Sequence, residues 1–104
     1  MNKIYFTITG TRYFYGDEFK EYAREFMKPG TKVKLVKEPD NEYDTEAILV
    51  KMDGLGDIGH VANSPHTVLG ESYSAGRIYD RFGDEAIGSV VAVLPCGIIC
   101  TLDI

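Results

Sequence analysis

The chain opens with an alternation of apolar and polar residues that predicts a β-strand with one buried face. Between Lys3 and Gly10, Ile4, Phe6 and Ile8 occupy every second position, which is the period of a half-buried strand. The period then changes over Asp17–Lys28, where apolar residues recur three and four positions apart. This spacing predicts an amphipathic helix, capped by Asp17 and ended by Pro29–Gly30.

Five further segments of the chain also carry a strand pattern. Val33 and Leu35 alternate with lysines, and after a turn at 39–44 the run Ala47–Met52 predicts an antiparallel partner strand. Glycines in 53–56 favour another turn before a short strand over Asp57–Ala62. The chain ends with a predicted hairpin, in which Ile87–Leu94 and Ile98–Asp103 are joined by Pro95–Cys96–Gly97.

The stretch between the fourth and fifth predicted strands has a mixed pattern. Asn63 or Ser64 before Pro65 predicts a helix start, because proline is tolerated in the first helical turn. Three glycines interrupt the segment that follows, up to Glu85. We therefore expect either one helix broken into pieces, or a helix and an ordered loop around Ser74–Arg77.

These elements predict a mainly β fold with two helical insertions. At 104 residues the chain has room for a single domain, 1–104. About six short antiparallel strands favour a sheet that curls into a small barrel, with the helices over its openings or an edge. Closure of the sheet would remove exposed strand edges.

Composition narrows the functional classes. No apolar run approaches the roughly 20 residues that cross a bilayer, and residues 1–7 lack the features of a secretory signal, so we expect a cytoplasmic protein. The net charge of −5 disfavours binding of long nucleic acid through a broad basic surface, so nucleic-acid binding would have to be local. Two cysteines, Cys96 and Cys100, are too few for a disulfide framework, and we expect both to be buried or half-buried free thiols.

Arg12, Tyr13 and Phe14 form the first candidate site, at the end of the first predicted strand. Arginine can bind a phosphate through two parallel hydrogen bonds, and a neighbouring ring can stack on a base. This pairing suits a single-stranded nucleotide. The residues alone also allow a structural interpretation, in which one ring is in the core, the other is outside and Arg12 is solvated.

The second candidate site is the turn at 39–44, which follows Lys37 and contains Asn41, Tyr43 and Asp44. Proline, Asp and Asn are typical turn residues, and this explains most of the segment. It leaves a high density of carboxylates beside an aromatic ring, a combination that suits a hydroxyl group, a metal or acid–base chemistry. The acidic residues are Glu38, Asp40, Glu42 and Asp44. No ordered calcium-loop pattern is present, and the cysteine and histidine spacing matches no standard zinc site, so we predict no metal and no cofactor.

Three stretches of the sequence, in order, resemble the HIRAN domain. They are Gly10–Gly16, with Arg-Tyr-Phe-Tyr; Leu35–Ile48, with Glu-Pro-Asp-Asn-Glu-Tyr-Asp; and Ile58–Val61, with Ile-Gly-His-Val. This module occurs at the N-terminus of SNF2-type DNA-repair remodellers such as helicase-like transcription factor, and as a free-standing bacterial protein, the type this chain is most similar to. The resemblance implies a six-stranded antiparallel barrel of the OB-like or SH3-like kind.

The resemblance also implies a non-enzymatic module that binds the 3′ end of single-stranded DNA. Arg12 would then bind a phosphate, with help from Lys37, and the rings of Tyr13 and Phe14 would contact the terminal bases. The terminal sugar would lie among Asn41, Tyr43 and Asp44, and His60 would lie at the rim of the pocket. The chain departs from the family at two positions, with Phe14 where tyrosine is frequent and Glu42 where proline is frequent.

Residue chemistry leaves two other functions open. One is a metal-dependent phosphodiester hydrolase that uses Asp40, Asp44 and His60. The other is a protein-interaction module with a tyrosine-rich surface. In the DNA-binding interpretation, the partners are a DNA 3′ end and DNA-processing proteins, with no membrane.

Overall fold

Six antiparallel strands form a closed barrel. The computed structural model describes residues 3–10, 27–94 and 96–103. The strands are β1 (Tyr5–Thr9), β2 (Lys32–Lys37), β3 (Ile48–Met52), β4 (Gly56–Val61), β5 (Glu85–Leu94) and β6 (Gly97–Asp103). Around the barrel they follow the order β1-β4-β3-β2-β5-β6, which closes between β6 and β1. The predicted mainly β barrel is therefore confirmed, and it is consistent with an OB-like fold.

The core follows from the alternation seen in the sequence. Phe6 and Ile8 in β1, and Val33 and Leu35 in β2, are buried inside the barrel, whereas the lysines between the β2 residues are exposed. Every strand contributes to this core. The other strand residues in it are Ile48, Val50, Ile58, Val61, Val90, Ile98, Cys100 and Leu102. Among the described residues, no helix is long and apolar enough to span a membrane.

An irregularity in β4 changes which face His60 occupies. The pairing of β3 with β4 shifts its register between Val50 and Lys51, so that Ile58 is an extra residue in the ladder. Such a bulge changes the side-chain alternation along the strand. Regular alternation would place His60 on the same face as Ile58, and that expectation is wrong: Ile58 is in the core, whereas His60 lies opposite Leu49 and Thr9 and is half-buried.

The segment from 62 to 84 differs most from its prediction. Its only α-helix is α1 (Ala75–Ile78), followed by a 3₁₀ turn over Tyr79–Arg81. No helix starts at Asn63 or Ser64; Ser64 closes a single turn by accepting from the amides of Thr67 and Val68. The chain then turns at Gly70, which has a φ of 55°, a conformation that suits glycine and ends helices.

Polar contacts with β1 hold this irregular segment against the barrel. The hydroxyl groups of Thr7 and Ser72 are buried and lie 2.7 Å apart, and the Tyr73 amide donates to the Tyr5 carbonyl over 2.6 Å. Because these bonds satisfy buried polar groups, the segment packs as a series of turns and bends where a helix was predicted. Ala75 and Ile78 of α1 then enter the core.

The structure also tests the terminal hairpin and its two cysteines. The predicted terminal hairpin is confirmed as β5 and β6; of its cysteines, Cys100 is buried but Cys96 is exposed at the turn, contrary to expectation.

Most of the helix predicted over Asp17–Lys28 lies outside the described residues. Its last two residues, Met27 and Lys28, are described and are not helical. Lys28 directly precedes Pro29, and a proline disfavours the α conformation at the residue before it.

Candidate nucleic-acid interface

Hydrogen bonds within the β2–β3 connection give it a fixed shape. The Glu38 amide donates to the Ala47 carbonyl over 2.8 Å and closes the base of the loop. At its tip, the side-chain oxygen of Asn41 accepts from the amides of Tyr43 (2.9 Å) and Asp44 (3.1 Å). Asn41 thus substitutes for a backbone turn acceptor, as asparagine commonly does.

Asp44 is held by both of its carboxylate oxygens. Oδ1 accepts from the Glu46 amide at 2.9 Å, and Oδ2 accepts from the side-chain amide of Asn63 at 2.8 Å. A carboxylate has about four lone-pair positions, so these two bonds orient the group and leave acceptor capacity for a ligand. Asp44 is half-buried, and its carboxylate can accept a hydrogen bond from a hydroxyl group.

Asn63 links this loop to α1. Its side-chain oxygen accepts from the Gly76 amide over 2.8 Å while its nitrogen donates to Asp44. The approach is close, because a Cβ at position 76 would lie 2.7 Å from Glu46 Oε1. That atom ends an exposed side chain that can move aside, so the hydrogen bond to Asn63 is what ties α1 to the loop.

Tyr43 is the aromatic residue of the loop, and its ring is exposed. Its side chain is 95% exposed, more than any other large hydrophobic residue in the described part of the chain. Its backbone, however, is held by the bond from its amide to Asn41. An aromatic ring presented to solvent on an ordered loop contributes nothing to the core and is well placed to stack on a flat ligand.

His60 lies near this loop through its contact with Glu38. His60 Nε2 is 2.6 Å from Glu38 Oε1, and both side chains are about one-third exposed. The contact joins the outer face of β4 to the end of β2, where the loop starts. His60 is therefore half-buried and partnered, and its predicted position at the rim of a binding pocket stays a prediction.

Lys37 contacts a different part of the chain. Its ammonium group donates to the Phe82 carbonyl over 2.7 Å. The Lys37 ammonium nitrogen also lies 4.4 Å from the ring centroid of Tyr79 and 4.8 Å from that of Phe82. Both distances are within the range of cation–π attraction. The structure thus connects Lys37 to the segment after α1, whereas Asn41, Tyr43 and Asp44 form one loop. Arg12, Tyr13 and Phe14 lie outside the described residues.

Comparison with known families agrees with this architecture. A model of the HIRAN domain matches residues 1–86 of the 104-residue chain. The chain belongs to the HIRAN domain family. Searches of curated proteins and of solved structures gave no match. HIRAN domains are generally associated with DNA binding, and the match includes the β2–β3 loop, β4 and α1.

Asn63 is a site residue of this HIRAN domain that the sequence pattern did not reveal. Its position before Ser64-Pro65 suggested a helix start, whereas its side chain binds Asp44 and the Gly76 amide. The sequence feature that could have pointed to Asn63 is its position as a polar residue immediately after the fourth predicted strand, which ends beside the acidic loop. No spacing rule predicts a hydrogen bond between residues 19 positions apart, because their proximity depends on how β3 and β4 pair.

The acidic side chains of this HIRAN domain were candidates for a metal site, and the structure shows how they are arranged. Among residues 3–10, 27–94 and 96–103, no group of three or more His, Cys, Asp or Glu side chains is arranged to hold a metal ion. Asp40 and Glu42 are exposed, whereas Asp44 and Glu38 are fixed by Asn63 and His60. The acidic loop therefore presents separate carboxylates with different partners.

Proposed function

We propose that this HIRAN domain is a binding module for the 3′ end of single-stranded DNA, with Tyr43 and Asp44 at the centre of the site. The observation that carries the proposal is the combination of an exposed ring with an oriented carboxylate on one hydrogen-bonded loop. Tyr43 would stack on a base, and Asp44 would accept a hydrogen bond from the terminal 3′-hydroxyl. Asn41 and Asn63 would keep both in position.

The charge of Asp44 supports selection of strand ends. A carboxylate accepts a hydrogen bond from a free hydroxyl but repels a phosphate at the same position, so continuous or phosphorylated strands are disfavoured. Recognition of a strand end is also compatible with a net charge of −5, since a terminal nucleotide needs few phosphate contacts. Arg12, Tyr13, Phe14 and His60 complete the proposed site as the family resemblance implies.

In this proposal, binding itself is the activity and no catalytic step is involved. The domain would act in the cytoplasm, where it would present DNA ends to DNA-processing proteins. The alternative of a protein-interaction module is favoured by one feature, the apolar residues Ile87, Val91 and Leu94, which are 40–44% exposed along β5. DNA-independent self-association in sedimentation experiments would support that alternative.

The proposal can be tested by fluorescence anisotropy with short single-stranded DNA, labelled at its 5′ end and carrying either a 3′-hydroxyl or a 3′-phosphate. The wild-type domain should prefer the hydroxyl form by about tenfold or more, since hydrogen bonds to charged groups contribute about 1.5–3 kcal/mol. Asp44→Asn should remove most of this preference, because the neutral amide no longer repels the phosphate.

Tyr43→Ala should weaken binding to both DNA forms by about fivefold or more, given about 1–3 kcal/mol for a stacked base. Glu42→Ala is the matched control: Glu42 is the exposed neighbour of Tyr43 in the same loop, and its loss should not weaken binding. Equal affinity of the wild-type domain for hydroxyl and phosphate ends would contradict the role of Asp44. No binding to either at low salt would contradict the proposed function.

A further inference from the structure

A second aromatic and basic cluster is formed by Tyr73, which precedes α1, and by two arginines on α1 and the turn that follows it. Arg77 Cζ is 4.0 Å from the centroid of the Tyr73 ring, and Arg81 Cζ is 5.5 Å from the same centroid. Tyr73 precedes the extended N-cap residue Ser74, Arg77 is in α1 and Arg81 is in the 3₁₀ turn, and both guanidinium groups reach the Tyr73 ring. Two guanidinium groups therefore share one ring.

The charge at this cluster is not balanced within the described residues. Lys32, Lys34 and Lys51 each form an ion pair with a carboxylate, whereas Arg77 and Arg81 pair with no carboxylate of the described ranges. The sequence has 16 acidic residues for 11 lysines and arginines, so acidic partners are plentiful. Two neighbouring cations that repel each other and lack an acidic partner favour an anionic ligand.

The geometry of the cluster suits phosphate. An arginine that stacks on a ring through its flat face keeps the N–H groups at its edge for other acceptors, and these match two phosphate oxygens. Both arginines are exposed. Tyr73 is anchored to β1 through its amide, which donates to the Tyr5 carbonyl, so the ring that orients the arginines is fixed to the barrel.

The cluster lies next to the loop proposed to bind the strand end. Gly76 directly precedes Arg77, and its amide donates to Asn63, which donates in turn to Asp44. On the other side, Tyr73 borders an open groove of about 710 Å³ that Tyr5, Lys3 and Glu71 also line. Asn63 therefore links Asp44 to the helix that carries Arg77, and Tyr73 links the same cluster to the groove.

We propose that Tyr73, Arg77 and Arg81 form a second contact surface, which binds the phosphodiester backbone of the nucleic-acid strand upstream of its 3′ end. This inference rests on the proposed function, because it extends the same bound strand. The arginines bind phosphate without reading bases. Their contribution is therefore independent of base sequence and sensitive to salt, whereas selection of the 3′-hydroxyl stays with Asp44.

The test compares Arg77→Gln/Arg81→Gln with the wild-type domain, using a 5′-labelled oligothymidylate of about twelve nucleotides. Binding is measured by anisotropy between about 50 and 200 mM salt. We expect the affinity of the double variant to fall about tenfold at the lower salt concentration. The slope of log affinity against log salt should decrease by about 1.4, because each phosphate that an arginine no longer neutralises accounts for about 0.7. The ratio of affinities for 3′-hydroxyl and 3′-phosphate ends should not change.

Lys34→Gln/Lys51→Gln is the matched control, because it removes two exposed positive charges from β2 and β3. The slope of log affinity against log salt for this lysine variant should remain close to that of the wild-type domain. If the arginine variant keeps the wild-type affinity and slope, this inference is overturned while the proposed function stands. If the wild-type domain binds no oligonucleotide at low salt, both are overturned. An equal decrease in the lysine control would also overturn the inference, since general charge would then account for the effect.

Discussion

At the scale of single residues, the two cysteines differ because their surroundings differ. Cys100 is buried in the core, and burial, followed by the charge of Asp103, raises its pKa to about 12. Cys96 is exposed at the turn between β5 and β6. Since the thiolate is the reactive form of cysteine, the two thiols should differ strongly in reactivity.

Alkylation of the native domain at mildly alkaline pH should therefore modify Cys96 and leave Cys100 unmodified. Both should react after unfolding in denaturant, because the pKa of Cys100 then returns to its ordinary range. Mass spectrometry of native and unfolded samples over a time course provides the measurement. Rapid modification of two thiols in the folded domain would contradict the burial of Cys100.

At the scale of elements, β5 packs unusually close to β1 and β6. A Cβ at Gly88 would lie 2.9 Å from Phe6 Cζ and 2.9 Å from the Thr101 carbonyl oxygen. The Phe6 ring is fully buried, and the carbonyl belongs to the neighbouring strand, so neither can move freely. Glycine at this position thus allows β5 to pass over the largest ring of the described core.

Gly88→Ala should therefore destabilise the domain by about 1–3 kcal/mol, as overpacking of a core does. Gly83→Ala is the control, because nothing lies within 4 Å of a Cβ at Gly83, and its effect should stay within about 0.5 kcal/mol. Urea unfolding followed by circular dichroism measures both. Equal stability of the two variants would show that β5 can move away from Phe6.

At the scale of the whole molecule, polar side chains on the outer surface connect three adjacent strands. Asp103 Oδ2 in β6 accepts from Ser89 Oγ in β5 and from Lys32 Nζ in β2, each over 2.8 Å. Partial burial by itself would raise the pKa of Asp103, but the hydrogen bonds from Lys32 and Ser89, with the charge of Lys32, lower it. The network joins the β5–β6 hairpin to β2, the neighbouring strand.

This network should make part of the stability depend on pH. The folded domain binds the Asp103 proton more weakly than the unfolded chain, so the contribution is present above the unfolded pKa near 3.8 and disappears as pH falls through the lower folded value. Asp103→Asn should cost about 0.5–1 kcal/mol at neutral pH, since the network is partly exposed. The cost should vanish near pH 2.

Urea unfolding of Asp103→Asn and the wild-type domain at both pH values tests this dependence. Asp53→Asn provides the control, because Asp53 is exposed in the turn between β3 and β4, and its effect on stability should be small at either pH. A cost for Asp103→Asn that persists unchanged at about pH 2 would show that the charge of Asp103 is not its source.

The sequence by itself determined the strands, their antiparallel order in hairpins and the family. Alternation of apolar residues is a local property, so β1, β2, β3 and the terminal hairpin could be predicted from it. The Asn41–Asp44 turn could also be predicted, because its hydrogen bonds join residues close in sequence. The match to the HIRAN domain rests on the same local patterns.

Only the tertiary structure decided the face of His60, the conformation of 63–74 and the role of Asn63. A bulge in β4 reverses the alternation that the sequence predicts, and bonds to β1 replace the helix predicted after Ser64. Asn63 reaches Asp44 and Gly76 because barrel closure brings β4, the β2–β3 loop and α1 together. Contacts between residues distant in sequence depend on strand register and packing, which local patterns do not encode.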